Sequence, residues 1–255
     1  MPGLKRLGFL FIILIGLIWL AGCGGGSNKS LVRLDFKNLG QLTPSFTYAA
    51  WVQQNGKVAL IETFNTNADG TASISGFSIL GTLTTGDRIF VTIESASTIN
   101  PSTPSIRRVL DGTIAGNTAV LTFPRMQDFA NAQAFITVGL GNIQILAEFT
   151  NLPDVSDLGF IYQGFLIRNG TPIPLKQFNF NSVPVSDTVG FDVTTASYLL
   201  SIEPVPDFDP SSPYTIRPFS TNGNLLPLIR QQLVKSSLTP GNPNFNFPSG
   251  TASLR

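Results

Sequence analysis

One phrase occurs twice in this chain. YAAWVQQNG spans 48–56, and YQGFLIRNG spans 162–170. Tyr48 answers Tyr162, Trp51 answers Phe165, Asn55-Gly56 answers Asn169-Gly170 and Phe64 answers Phe178, all at a shift of 114. Further along, Ile93-Glu94 answers Ile202-Glu203, and Pro101 and Pro104 answer Pro210 and Pro213, at a shift of 109. A shift that holds within each block and changes once between blocks describes a duplicated unit with loops of unequal length. Whatever fold the first copy takes, the second must be able to take as well.

The phrase has the grammar of a β-hairpin. Asn-Gly is the favoured centre of a type I′ turn, which needs φ > 0 at both positions. Before the first turn, Tyr48, Ala50 and Val52 line one face of a strand, and Ala49, Trp51 and Gln53 the other. After it, Val58 and Leu60 share a face, and Glu62 interrupts the pattern. Copy one carries about seven strand-like runs, near 31–37, 47–54, 57–64, 72–79, 88–94, 106–114 and 118–123. Short strands at this spacing, punctuated by Gly and Pro, predict an all-β chain of two tandem immunoglobulin-like β-sandwich domains. Repeat 1 is placed at 31–124 and repeat 2 at 143–222, with 125–142 as a linker or bridging strand. The segment 223–255 is expected to hold a short helix, from the spacing of Leu226, Ile229 and Leu233, followed by a flexible tail.

The N-terminus supplies an address. Lys5 and Arg6 precede an apolar run, Gly8 to Leu20, that is short for a membrane span. It ends in Leu20-Ala21-Gly22-Cys23, the pattern of a bacterial lipobox, and Cys23 is the chain's only cysteine. The expectation is a lipoprotein signal peptide at 1–22, lipidation of Cys23 and a Gly-rich tether at 23–30. Gly24, not Asp, follows the cysteine, so outer-membrane placement is expected if the host has two membranes. Removing Lys5 and Arg6 leaves 14 Lys+Arg against 15 Asp+Glu, a net charge of −1. That balance, without a basic block, predicts no nucleic-acid partner. With no histidine and one cysteine, His/Cys zinc sites, Ser-His-Asp triads and intramolecular disulfides are excluded.

The repeated residues also carry a resemblance. An aromatic-x-x-Trp/Phe hairpin around Asn-Gly is followed by a phenylalanine. A strand of the form VTIE or LSIEP then leads into a P-x-x-P loop. This resembles the extracytoplasmic domain of anti-sigma-K factors, marked by a Tyr-x-x-Trp-hydrophobic hairpin and a later V-T-x-E-P-x-G-G-S-x-x-P-[ST] segment. The matching positions are Tyr48, Trp51, Asn55, Gly56, Phe64, Asp87, Thr92, Glu94, Pro101 and Pro104 in copy one. In copy two they are Tyr162, Phe165, Asn169, Gly170, Phe178, Glu203, Pro204, Pro210 and Pro213. Neither copy has the Gly-Gly-Ser, and the chain shows neither the family's cytoplasmic sigma-binding part nor its membrane helix. The resemblance therefore implies the outer β-rich module and not anti-sigma activity.

Several side chains admit two readings. Glu94 and Glu203 end equivalent strands and could hold a cation, or hydrogen-bond the following loop. Asp207 and Asp209, like Asp154 and Asp157, could ligate calcium or cap turns. Trp51 and Phe165 could form an exposed aromatic platform or sit in a core. The prolines could present a recognition surface or guard a sheet edge. No pattern assembles a catalytic, cofactor or metal site. The expected function is a non-catalytic, lipid-anchored binding or envelope-structural protein outside the cytoplasm. Its partners would be the membrane and an envelope or surface protein. The alternative is an extracytoplasmic sensor or regulator linked to anti-sigma/sigma signalling.

Overall fold

Asn55 and Gly56 take φ of 50° and 74°, and Asn169 and Gly170 take 51° and 78°. Both pairs therefore have the backbone of a type I′ turn, whose twist matches that of the strands it joins. The structure, a computed structural model, describes residues 29–98, 100–181 and 183–255. The signal peptide, Cys23 and the tether up to 28 lie outside the described residues.

The strands run in chain order as β1 (Lys29–Lys37), β2 (Phe46–Gln54), β3 (Lys57–Phe64), β4 (Ala72–Leu80), β5 (Arg88–Ser95), β6 (Arg108–Thr113) and β7 (Thr118–Thr122). Next come β8 (Gln133–Val138), β9 (Gln144–Thr150), β10 (Phe160–Arg168), β11 (Thr171–Phe178), β12 (Val185–Thr188) and β13 (Ser197–Pro204). The last four are β14 (Phe219–Ser220), β15 (Arg230–Gln232), β16 (Val234–Lys235) and β17 (Ser249–Leu254). Helix among the described residues is confined to short 3-10 turns. The chain is all-β with several antiparallel sheets, consistent with a β-sandwich.

An eight-stranded sheet runs β3-β2-β5-β6-β7-β17-β1-β4, and its two end strands, β3 and β4, come back into contact. A five-stranded sheet runs β11-β10-β13-β14-β16, and a four-stranded sheet β12-β9-β8-β15. The pairing explains the two sequence shifts. Tyr48 faces Ile93 and Tyr162 faces Ile202, while Trp51 faces Phe90 and Phe165 faces Leu199. One shift belongs to the hairpin and the other to the strand it pairs with, so the register is preserved. Glu62 is also explained. The ladder slips at Ile61, between Ala50↔Glu62 and Trp51↔Leu60, and slips at the corresponding place between Gln163 and Phe165. A bulge resets which face each later side chain meets.

Two expectations are corrected near the C-terminus. Residues 225–236 are not a helix. Pro227 bridges Val138, Leu228 adopts a left-handed φ of 56°, and Arg230–Gln232 pairs with β8. Of the three residues with helical spacing only Leu233 is buried; Leu226 and Ile229 face outward. Nor is the tail loose. Phe245 and Phe247 are buried, and β17 pairs with β1 on one side and β7 on the other. The alternation in NFNF was the overlooked sign of an extended, half-buried segment.

The eight-strand order recurs in the second half, cut in two. β8 lies beside β9 as β17 lies beside β1, with Ile136↔Ala147 matching Ala252↔Leu34. β14 lies beside β13 as β6 lies beside β5. Where β7 bridges β17 to β6, residues 230–235 break at the buried Leu233, so β15 joins one sheet and β16 another. The second arrangement therefore begins at β8 and extends to β16, beyond the expected limits of 143 and 222, and the first draws in β17 from the end of the chain.

A single hydrophobic core runs from Val32 to Ala252 through both halves. Between them, Phe123 meets Phe160 edge to face at 5.8 Å and Phe247 at 6.2 Å, and Phe129 meets Phe247 at 5.7 Å. A smaller cluster of Ala49, Trp51 and Phe90 fills the opposite face of β2 and β5. The Arg108 guanidinium stacks 4.0 Å over the Phe90 ring beside it. Trp51 and Phe165 are both fully buried.

Candidate functional site at the seam

The motif carboxylates hold loops. Glu94 is buried and accepts the Ser105 amide at 2.8 Å and the Thr92 hydroxyl at 2.5 Å. Thr92 in turn accepts the Trp51 indole N–H at 2.7 Å. Glu203 is buried and accepts the Tyr214 amide at 2.9 Å. In both copies the donor is the amide directly after the second proline, so each glutamate ties the P-x-x-P loop to the end of its strand. Phe165, in place of Trp51, brings no donor. The Ser201 hydroxyl, in place of Thr92, is shared between the Glu203 carboxylate and the Tyr214 carbonyl, the latter at 3.3 Å. Burial pushes the Glu203 carboxyl up to about 7, working against its loop hydrogen bond.

The aspartates are occupied in the same manner. Asp207 caps the Asp209 amide, Asp209 caps Ser211, and Asp154 caps Ser156, as Asx turns do. Asp157 pairs with Arg125 at 2.6 Å. No group of three or more potential metal ligands comes together among the described residues. Asp207 Oδ2 is buried without a hydrogen-bond partner, and desolvation raises that carboxyl.

The two halves meet polar side to polar side at Tyr48. Its hydroxyl donates to the Gly40 carbonyl at 2.7 Å. It carries one proton, so the Tyr214 hydroxyl, also at 2.7 Å, must donate to it. Tyr162 makes only the equivalent of the first bond, to the Pro153 carbonyl at 2.7 Å. A Cβ on Gly40 would stand 2.7 Å from the Tyr214 ring, so glycine permits this approach.

Two clefts flank the contact and share Gly40, Gln41 and Thr215. The first, of about 310 Å³, lies between the 40–43 loop and the 203–215 segment; Glu203, Asp207, Phe208 and Tyr214 line it. The second, of about 660 Å³, is lined by Asn38, Gln41, Asp69, Arg217, Asn242 and Asn246. The Arg217 Nε donates to the Tyr214 carbonyl at 3.0 Å and Nη2 to the Pro213 carbonyl at 3.3 Å. Burial lowers the pKa of this guanidinium, and Glu203 opposes that. The structure thus brings Glu203 to the seam, and leaves the motif residues Trp51, Glu94, Phe165 and the two Asn-Gly turns away from the clefts. Gly40, Gln41, Tyr214 and Arg217 escaped sequence reasoning because each stands alone in a loop. The chain matches no model of a known protein family and no curated protein.

Proposed function

We propose that this is a lipid-anchored, extracytoplasmic binding protein of the cell envelope, made of two duplicated immunoglobulin-like units and acting without catalysis. The clefts on either side of the Tyr48–Tyr214 contact carry the reading. They are bordered by residues from both halves, and the motif carboxylate among them, Glu203, is committed to holding its loop. Pockets of a few hundred cubic ångströms with fixed polar groups suit a ligand better than a bond-making reaction, which needs free acid–base groups in mutual reach. The strand order supports the duplicated-unit part. With β17 taken first, the eight-stranded sheet divides at β7 into β17-β1-β4 and β3-β2-β5-β6, and the two smaller sheets repeat that division as β8-β9-β12 and β11-β10-β13-β14. Two layers of three and four antiparallel strands match an immunoglobulin-like sandwich whose fourth strand has changed sheets. The lipobox ending at Cys23 supplies the anchor.

Crosslinking of the protein in intact cells, followed by mass spectrometry of its neighbours, tests the reading. Envelope or surface proteins recovered from the wild type and lost from a Cys23→Ser variant are the expected result. Reproducible recovery of a sigma or anti-sigma partner would overturn it in favour of the sensor reading.

A further inference from the structure

The duplication contains its own control. The Ile93 amide donates to the Arg107 carbonyl, and the Ile202 amide to the Ile216 carbonyl. Val91 faces Leu110, and Leu200 faces Phe219. This register makes Arg217 the counterpart of Arg108 and Ser220 the counterpart of Asp111. Arg108 is balanced, with Nη1 2.9 Å from Asp111 Oδ2. Arg217 sits where that acid is absent, and it forms no ion pair among the described residues. Its two bonds go to carbonyl oxygens, which orient the guanidinium without neutralising it. Glu203 acts on this half-buried cation only without an ion pair, so a ligand carboxylate placed directly on the guanidinium would supply the contact that Asp111 gives Arg108.

We propose that the Arg217 cleft binds an acidic saccharide, with a sugar carboxylate on the Arg217 guanidinium and sugar hydroxyls on the surrounding amides. The lining is more polar than apolar, which favours a polyhydroxylated ligand over an apolar one. The Asn246 carbonyl accepts the Arg217 amide, which fixes Asn246 next to the cation. The side-chain amides of Asn246 and Gln41 bond to no other group among the described residues. The Asn242 side chain is engaged only through Oδ1, and Asp69, which also lines the cleft, uses only Oδ1, on Thr71. Amides and the Asp69 carboxylate therefore line the cleft with groups that can exchange hydrogen bonds with hydroxyls, and Arg217 is the one cation among the lining residues. This assignment rests on the binding reading above and narrows it to one cleft and one ligand chemistry.

The test is calorimetric titration of the detergent-solubilised full-length lipoprotein with glucuronate and a short oligouronide. Glucose serves as the neutral control and N-acetyl-dialanine as a peptide carboxylate. The uronates should bind and glucose should not. Arg217→Gln and Asn246→Asp should each weaken uronate binding at least about tenfold, the loss expected when a charge-assisted contact is removed or opposed. Asn246→Asp leaves the Arg217 loop bonds intact and keeps the test valid if Arg217→Gln fails to fold. The assignment is overturned by uronate binding that both variants retain, by preference for the peptide carboxylate, or by no binding at all. Absence of uronate binding alongside a recovered envelope partner removes this ligand alone; absence of both removes the binding reading as well.

Discussion

At the residue scale, Tyr48 and Tyr162 make a natural comparison. They hold the same place in their hairpins, yet Tyr48 links two halves and Tyr162 closes only its own. Tyr48→Phe should destabilise by roughly 1–3 kcal/mol in urea unfolding, because it leaves the Gly40 carbonyl only the longer bond from the Thr66 hydroxyl at 3.3 Å and removes the acceptor of the Tyr214 hydroxyl. Tyr162→Phe should cost less. Gly40→Ala drives a methyl against the Tyr214 ring and should weaken the same contact. Glu203 sets a pH dependence. Its carboxyl lies near 7 in the fold, against an ordinary value of 4.5. The folded state therefore holds the proton more tightly. This contribution is present below about pH 4.5 and is lost as pH rises through about 7, a loss of roughly 3 kcal/mol at most. Glu203→Gln should flatten the stability difference between pH 5 and pH 8 in chemical denaturation. An unchanged slope would show that another group sets it.

At the element scale, what was legible in the sequence was local. The Asn-Gly turns, the hairpins around them and the strand that follows each could be read because turn chemistry and alternation act over a few residues. The bulge at Ile61 could only be glimpsed, as Glu62 out of pattern. The role of 249–254 could not be read, because its partners, β1 and β7, lie far away in the chain and pairing over that distance leaves no mark in a window of ten residues. Residues 225–236 misled because three apolar side chains at helical spacing say nothing of Leu228's left-handed backbone. The seam residues were illegible for a related reason: Gly40 and Tyr214 have meaning only to one another. A truncation removing β17 should expose Val32, Leu34 and Phe36 along β1. The expected readout is increased binding of a hydrophobic dye and loss of the thermal transition; a shortened chain with native-like melting would show that β1 and β7 can close without it.

At the scale of the whole molecule, one continuous core runs through both halves, and the expectation is that they unfold as a single cooperative unit. Calorimetry of the wild type should give one transition whose calorimetric and van't Hoff enthalpies agree. Two resolved transitions would mean that the seam is weaker than its aromatic packing suggests. Phe247→Ala removes a ring touching Phe123, Phe129 and Phe245 and should cost about 3–5 kcal/mol while keeping a single transition. The two clefts lie on either side of that seam, so a change that loosens it should disturb both together.

The position of β17 also sets a schedule. Leu31 and Arg255 exchange backbone hydrogen bonds at 3.0 and 2.9 Å, and β1 lies between β4 and β17. The first of the described strands therefore waits for a neighbour that follows all the others in the chain, and its half of the molecule closes only once that neighbour has been made. For the exported role proposed above, that delay would keep the chain threadable until β17 is made.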